Sequence, residues 1–425
     1  MNAPRPSIPP TWSSALAGLV LALGLPASVS AAEITGRASV LGTLAHPASG
    51  DIAAKPDWPN ADQQSLRLML DDVTEHGDWS LHIKARRLHV DGLAFDASIP
   101  ADRFRYQPLA QDWIDRSGHA VATRVGYAVD RAVYRWQQED LAVSVGRQPI
   151  DWGAGRFWQP LNVFGAFAPT DLDTDFKPGI DAVVLDWYPD ALSSLTVAYV
   201  VSPRDGEIST RDGDTSTRDG AAEDSLALHY RRPLGSRSAL ALLAGRVRGD
   251  NVIGASLEGD VAGMGWRVEA ARHGVGASAD GHLFWIAGVD YQLDNGTRLS
   301  AEWYDNGAGA GRGDALPGVA ASERFASGLL PQLGRHVLGL GAEKDLTPLL
   351  RGSYTLLASP LSDGDGGRRP SLLHQVNLSY SLGNESDLLV SLLAASGDGR
   401  DVSGRLRSEF GHLPASLTLR WRRYF

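Results

Sequence analysis

The sequence predicts an all-β fold: a closed antiparallel transmembrane β-barrel of about 18 strands, running over residues 33–425 behind a cleaved signal peptide at 1–32. Three observations carry this. Apolar and polar residues alternate with a period of two along strand-sized segments. Those segments run to about ten residues and carry Trp or Tyr near their ends, which is the length and girdling of a tilted membrane strand. Short turns alternate with long loops along the chain, as they do when one rim of a barrel is trimmed and the other elaborated.

The amino terminus bears on the compartment. Arg5 is the only charge ahead of an apolar run from Ala15 to Leu25; Pro26, the small residues 27–32 and the first acid, Glu33, follow. A run of about 11 residues is too short for a spanning helix, which needs about 20. The basic–apolar–small order is that of a secretory signal peptide, whose loss would remove Arg5 and move the net charge from −10 to −11. No later apolar run is long enough for a transmembrane helix. The chain contains no Cys, which excludes a disulfide framework and a thiolate metal site and suits an oxidising compartment. An acidic balance without a basic run excludes a nucleic-acid partner.

From Ile34 onward the strands follow in order. Leu226, Leu228 and Tyr230 alternate with Ala227, His229 and Arg231, and Trp266, Val268 and Ala270 with Arg267, Glu269 and Ala271. Leu299, Ala301 and Trp303 alternate with Arg298, Ser300 and Glu302, and Val376, Leu378, Tyr380 and Leu382 with polar neighbours. Between Leu283 and Leu293 one face is apolar throughout, and Phe284 and Ile286 sit on the other. Trp79, Trp136, Trp187, Trp266, Trp303 and Trp421 fall near strand ends. Short turns are expected at 74–78, 137–140, 189–192, 234–237, 260–263, 294–296, 344–348 and 383–386. Long loops are expected near 46–63, 94–118, 151–178, 204–223, 274–282, 307–334, 359–371 and 397–414, with one short loop at 249–251. About 19 segments result. Closed bacterial barrels favour an even number, so the short polar stretch Ser403–Gly411 is assigned to the last loop. That leaves 18 strands, with 16 as the nearest alternative, and both chain ends on the trimmed rim. Barrels of this size enclose an aqueous lumen.

The chain's most unusual stretch is Leu141–Asp186. A strand marked by Leu141, Val143 and Val145 enters Gly146-Arg147-Gln148 and then the third long loop, 151–178. Long ordered loops in compact domains are usually functional. This one holds Asp151, Asp171, Asp173 and Asp175 against Arg156 and Lys177, with Trp152, Phe157, Trp158, Phe164 and Phe167 to anchor it to a wall. Pro160, Pro169 and Pro178 stiffen it by fixing φ. Charge facing lipid costs about 2–4 kcal/mol at the midplane. The wall strands therefore turn Lys84, Arg86, Arg231, Arg267, Arg298, Arg351, Arg420 and Arg422 into the lumen, with fewer acids, Asp181, Glu269, Asp290 and Glu302. An acidic loop facing a basic wall would select ions by a transverse field; equally, the groups would pair and fix the loop.

Other chemistry is thinly represented. Asp171-x-Asp173-x-Asp175 opens like a calcium loop, but Phe176 stands where Gly belongs and Ala182 where the bidentate Glu belongs. A solvated or Arg-paired acidic loop fits better, and no metal or cofactor is implied. Neither a Gly-x-Ser-x-Gly elbow nor His-Glu-x-x-His is present, so the chain does not read as an enzyme. The repeat Ser209–Gly213 and Ser216–Gly220 reads as solvated loop.

The segment GRQPIDWGAGRFWQP at 146–160, followed by Pro169-Thr170-Asp171 and Lys177-Pro178-Gly179-Ile180-Asp181-Ala182, resembles a pattern in proteobacterial porin-like outer-membrane barrels. A looser similarity extends to alginate-export-type barrels. The terminal Tyr424-Phe425 resembles the strand end that barrel assembly machinery reads. In general porins the third loop enters the lumen, and the resemblance implies the same for 151–178, as a pore constriction loop. It implies an outer-membrane channel or export pore passing polar, and on the basic wall anionic, solutes or polymers. The implied partners are outer-membrane lipid, the assembly machinery through Phe425, and a polar solute. The alternative is a non-conducting barrel serving as envelope scaffold or surface attachment protein.

Overall fold

The computed structural model describes residues 33–46, 48, 59–91, 111–113 (backbone alone), 122–202, 223–275, 281–322, 325, 332–362 and 367–425. The expected signal peptide and the repeat at 209–220 lie outside the described residues, as do most of the loops near 46–63 and 94–118.

The strands are β1 (Glu33–His46), β2 (Asn60–Thr74), β3 (Gly77–Val90), β4 (Gln111–Trp113), β5 (Thr123–Gln138) and β6 (Leu141–Gln148). Next come β7 (Ile180–Asp190), β8 (Ser193–Val200), β9 (Ser225–Leu234), β10 (Ser238–Val247), β11 (Asp250–Val261) and β12 (Met264–His273). The series ends with β13 (His282–Gln292), β14 (Arg298–Asn306), β15 (His336–Thr347), β16 (Leu350–Ser359), β17 (Ser371–Gly383), β18 (Ser386–Ser396) and β19 (Ala415–Tyr424). Each expected short turn separates two of them. Ser403–Gly411 carries no strand.

Apart from β4, eighteen antiparallel strands pair with their sequence neighbours, and β1 pairs with β19 from Arg37↔Tyr424 to His46↔Ala415, so the ring closes. Closure pairs the first and last strands with each other, so neither is left as an edge. The three-residue β4 was not foreseen in the loop 94–118. It pairs Gln111–Trp113 with Ala128–Gly126 of β5. The reason lies in strand length: β5 has 16 residues and β6 only 8, and β6 pairs with β5 only from Ala132 onward. The freed backbone groups of β5 need another partner, and β4 supplies it.

The seam has its own fit. Gly36 N–H donates to the Phe425 carbonyl at 2.7 Å and Phe425 N–H returns to Gly36 at 3.0 Å. The Phe425 ring lies against Gly36 so closely that a Cβ there would stand 2.4 Å from it, and a larger residue would push the terminal ring aside.

The two faces separate as the alternation predicts. Leu226, Leu228, Leu242, Val268, Val289, Leu378 and Leu419 are exposed on the outer surface, while Ala227, Ala241, Ala271, Ile286 and Leu373 are buried inside. Trp79, Trp136, Trp187, Trp266 and Trp421 gather near the turn end of the outer surface, where Trp187 bonds Asp140 and Trp421 bonds Ser386, each at 3.0 Å. Trp303 stacks on His336 at the loop end, with centroids 5.5 Å apart.

Candidate functional site: a loop clamped on two walls

Residues 149–179 leave β6 and return at β7, and their side chains pack against inner strand faces. The first half is held by two carboxylates from the wall. Glu302 on β14, 1% exposed, accepts the backbone N–H groups of Arg156, Phe157 and Trp158 at 2.9, 3.0 and 2.9 Å. Glu269 on β12, fully buried, accepts Ala154 N–H at 2.7 Å and Leu161 N–H at 2.6 Å. A carboxylate has about four lone-pair sites, and charge-assisted bonds are the strong ones; two buried side chains thus satisfy five loop donors.

Apolar fit completes the dock. Trp158, 1% exposed, stacks on Tyr304 with centroids 5.1 Å apart and shares a cluster with Phe284 and Ile286. The two apolar residues on the polar face of β13 are therefore the floor for this tip. The Phe157 ring fills a slot over Gly339 and Gly341 of β15, where added Cβ atoms would meet it at 2.8 and 3.1 Å. Trp152 stacks on His229 at 5.0 Å, and Leu161, Val163 and Phe164 join a cluster with Ala227, Leu243 and Val252 of β9–β11. Burial of side chains this size stabilises by about 1.5–3 kcal/mol each.

The second half is clamped to a different wall. Arg37 on β1, 1% exposed, holds Asp173 through both guanidinium nitrogens at 2.6 and 2.7 Å and reaches Asp175 at 2.8 Å. Asp175 also receives Arg422 and the Tyr424 hydroxyl. The Phe176 ring carries the Arg37 guanidinium at 4.9 Å and that of Arg67 at 4.3 Å, a double cation–π contact. Gln375 of β17 donates to the Thr170 carbonyl at 3.1 Å, and Arg420 donates to that of Leu172. Two of the three acids that open like a calcium loop, Asp173 and Asp175, are thus committed to guanidinium groups. At the neck, Lys177 joins Asp151 at 3.0 Å and Asn162 at 2.7 Å.

Between Phe164 on β9–β11 and Thr170 on β17 the chain has six residue steps, about 20 Å at full extension. Gly165–Pro169 therefore passes from one wall to another. Asp171 follows; it accepts the Ala168 N–H at 2.7 Å and has no ion-pair partner among the described residues.

Sequence-predicted wall residues divide by height and azimuth. Arg267 meets Asp290 and lies 3.7 Å from Glu302, so it backs the first clamp. Arg298 shares Glu343 with Arg156, at 3.9 and 3.2 Å. Arg420 and Arg422 belong to the second clamp. Arg86 is on the inner face of β3, opposite Ser65 and Gly126. Arg231 pairs with Glu258 and Arg351 with Asp345, each at 2.7 Å and largely solvated, toward the turn end. Asp181 differs from expectation: it stands in register opposite Arg147, which grips it twice at 2.7 Å, on the strand face of Val183 and Leu185 rather than that of Ala182 and Val184. Arg37, Arg67 and Tyr424 were missed; strand alternation along Arg37, Ser39 and Leu41 is the signal that would have found the first.

Titration separates the loop's acids. Burial pushes the Asp173 carboxyl up, but the hydrogen bond and charge of Arg37 outweigh it and hold it below the usual 3.8. For Asp175, burial is likewise outweighed, by the Tyr424 hydroxyl and Arg422. Groups with depressed values add stability above the ordinary carboxylate value and lose it as pH falls through the folded one. The second clamp is expected to stay docked at pH 5 and to release only in acid below pH 3.8, read as loss of amide protection over 170–177. Burial and the Asp173 charge raise Asp171 instead.

No protein-family model matches the chain, and no curated protein matches it in sequence. Solved structures do. A BenF-like porin from Pseudomonas fluorescens Pf-5 aligns at TM-score 0.56 and 10% identity over 93% of this chain and 99% of that one. OccAB4 of Acinetobacter baumannii aligns at 0.54 and 10%, over 92% and 98%. Pseudomonas aeruginosa OpdK with vanillate aligns at 0.53 and 12%, over 92% and 98%. Likeness at this identity concerns architecture, and by architecture the protein has the porin fold, a closed barrel of 18 antiparallel strands.

Proposed function

We propose that the protein is an outer-membrane channel for small anionic solutes, constricted by the loop 151–178. The observation that carries this is a surplus of positive charge where the loop crosses the lumen. Arg37, Arg67, Arg420 and Arg422 are matched to Asp173, Asp175, Asp130 and Asp387. Lys84 and Arg131, on the inner faces of β3 and β5, have no ion-pair partner among the described residues. Lys84 stands near Asp130 and Asp173, beside the loop. Fixed charges at a narrow point select permeant ions, and the neighbour OpdK was solved with vanillate, a small carboxylate. The apolar outer surface supports residence in the outer membrane, and the Phe425 strand supports delivery by barrel assembly machinery.

Reversal potentials across planar bilayers under a salt gradient test the charge reading. Wild type is expected to prefer anions, and the K84E/R131E double variant to lose or invert that preference; cation preference in wild type would overturn it. Removing Arg156–Asp175 is expected to raise conductance severalfold. A barrel without conductance before and after that deletion would favour the scaffold reading.

A further inference from the structure

The outer rim on the β14–β18 side carries a second inward-folded element that the loop 151–178 does not account for. Residues 397–414 turn into the barrel mouth, and Phe410, 3% exposed, enters the cluster that holds Trp158 and Tyr304. Beside it stands Glu409, 4% exposed. Its Oε1 accepts Leu333 N–H at 2.9 Å and its Oε2 accepts Gly334 N–H, both from the segment entering β15. That segment is tied back to 306–310 through Ala310 N–H to Leu333 O at 2.7 Å and Arg335 N–H to Ala310 O at 2.9 Å. A Cβ on Gly334 would lie 2.8 Å from Glu409 Oε2 and 3.1 Å from Ser359 Oγ, so glycine is what lets the carboxyl reach the backbone.

The geometry points to Glu409 as a proton-operated latch that binds residues 397–414 to the base of β15 over the tip of the loop 151–178. A buried carboxyl with two backbone donors and, among the described residues, no cation is poorly stabilised as an anion. Its described neighbours do not supply one: Arg335 and His336 lie on Asp305 at 3.7 and 3.0 Å, and Arg369 on Asp398. Arg407 and His412 flank the latch in the chain itself. An independent feature suits the protonated form. The Ser359 hydroxyl, 2% exposed and without a hydrogen-bond partner among the described residues, borders the same space beside Gly334 as the carboxyl does. Burial pushes Glu409 up to about 7 against an ordinary 4.5, with the Leu333 and Gly334 N–H bonds opposing the rise. The sign follows from linkage: the latched form binds the proton more tightly than the released form, so acid strengthens the latch and it loosens as pH rises through about 7. From those two values, latching gains roughly 70-fold between pH 8 and pH 5.

The test is amide hydrogen exchange at Leu333 and Gly334 of the full protein in nanodiscs, corrected for intrinsic rates, at pH 5 to 8. Protection in wild type is expected to rise tens-fold toward pH 5. The E409Q variant, fixed neutral, is expected to show little pH dependence, which assigns the effect to the Glu409 carboxyl. Protection that is flat in wild type, or that keeps its pH dependence in E409Q, overturns the latch. S359A leaves the backbone bonds intact, so its pH profile should keep its shape with a lower midpoint; an unchanged midpoint removes the hydroxyl from the proposal. Exchange reads the latch directly, so its failure is distinct from a failure to conduct.

Discussion

Replacing Glu302 with alanine is expected to free the tip of the constriction loop while leaving the barrel assembled. Three backbone N–H groups, of Arg156, Phe157 and Trp158, would lose their acceptor in a site 1% exposed. Each unsatisfied buried donor costs about 1–3 kcal/mol, and Arg267 would lose one of its two acids. The sum exceeds what the Trp158 stack alone holds, at about 1.5–3 kcal/mol. The β14 strand itself is retained, because its pairing with β13 and β15 uses backbone groups only. The observable results are a higher and noisier single-channel conductance and rapid tryptic cleavage after Arg156, with barrel content unchanged by circular dichroism. Glu302→Gln keeps one acceptor oxygen and should fall between. Conductance and cleavage equal to wild type in Glu302→Ala would mean the apolar contacts suffice and the carboxylate is incidental.

The same residues show what one chain of letters can convey. Alternation along β12 and β14 put Glu269 and Glu302 on the inner face, because a one-residue slip would turn the whole strand over. Turn and loop lengths placed 151–178 as the third loop for the same local reason. Alternation reports a face, however, and says nothing of height or azimuth. Arg231 and Arg351 share the inner face with Arg420, yet they meet Glu258 and Asp345 near the turn rim while Arg420 reaches the loop. Arg37 and Asp173 are 136 positions apart and meet only because β1 closes on β19 and the loop crosses to that wall. Asp181 shows the opposite failure. The following Ala182–Leu185 are apolar on both faces, so alternation assigns it no side, and it pairs with Arg147 instead. The Phe157 slot is a matter of two glycines on β15 beneath an aromatic more than 180 residues earlier, a fit that no local period encodes.

Arg37→Ala is expected to undo the other end of the loop, and more severely for its own segment. Arg37 is buried and supports Asp173, Asp175 and the Phe176 ring together. Removing one partner of a fully buried pair typically costs about 3–5 kcal/mol; the cost here is expected to be smaller, because Asp173 is 31% exposed and Asp175 keeps Arg422. Arg37→Lys should recover little, since an ammonium cannot reproduce the two-nitrogen fork on Asp173. Pairing Arg37→Ala with Asp173→Asn should be milder than Arg37→Ala alone, because the stranded carboxylate is neutralised with it. The readout is amide protection over 170–177, with 154–161 as internal control. Those two segments hang on different walls, so each single variant should leave the loop tethered at its other end and conductance only partly raised. The Glu302→Ala and Arg37→Ala changes combined should approach the conductance of the 156–175 deletion. If either single change already reproduces the deletion, the two clamps are one cooperative unit and the crossing segment 165–169 transmits the release from wall to wall.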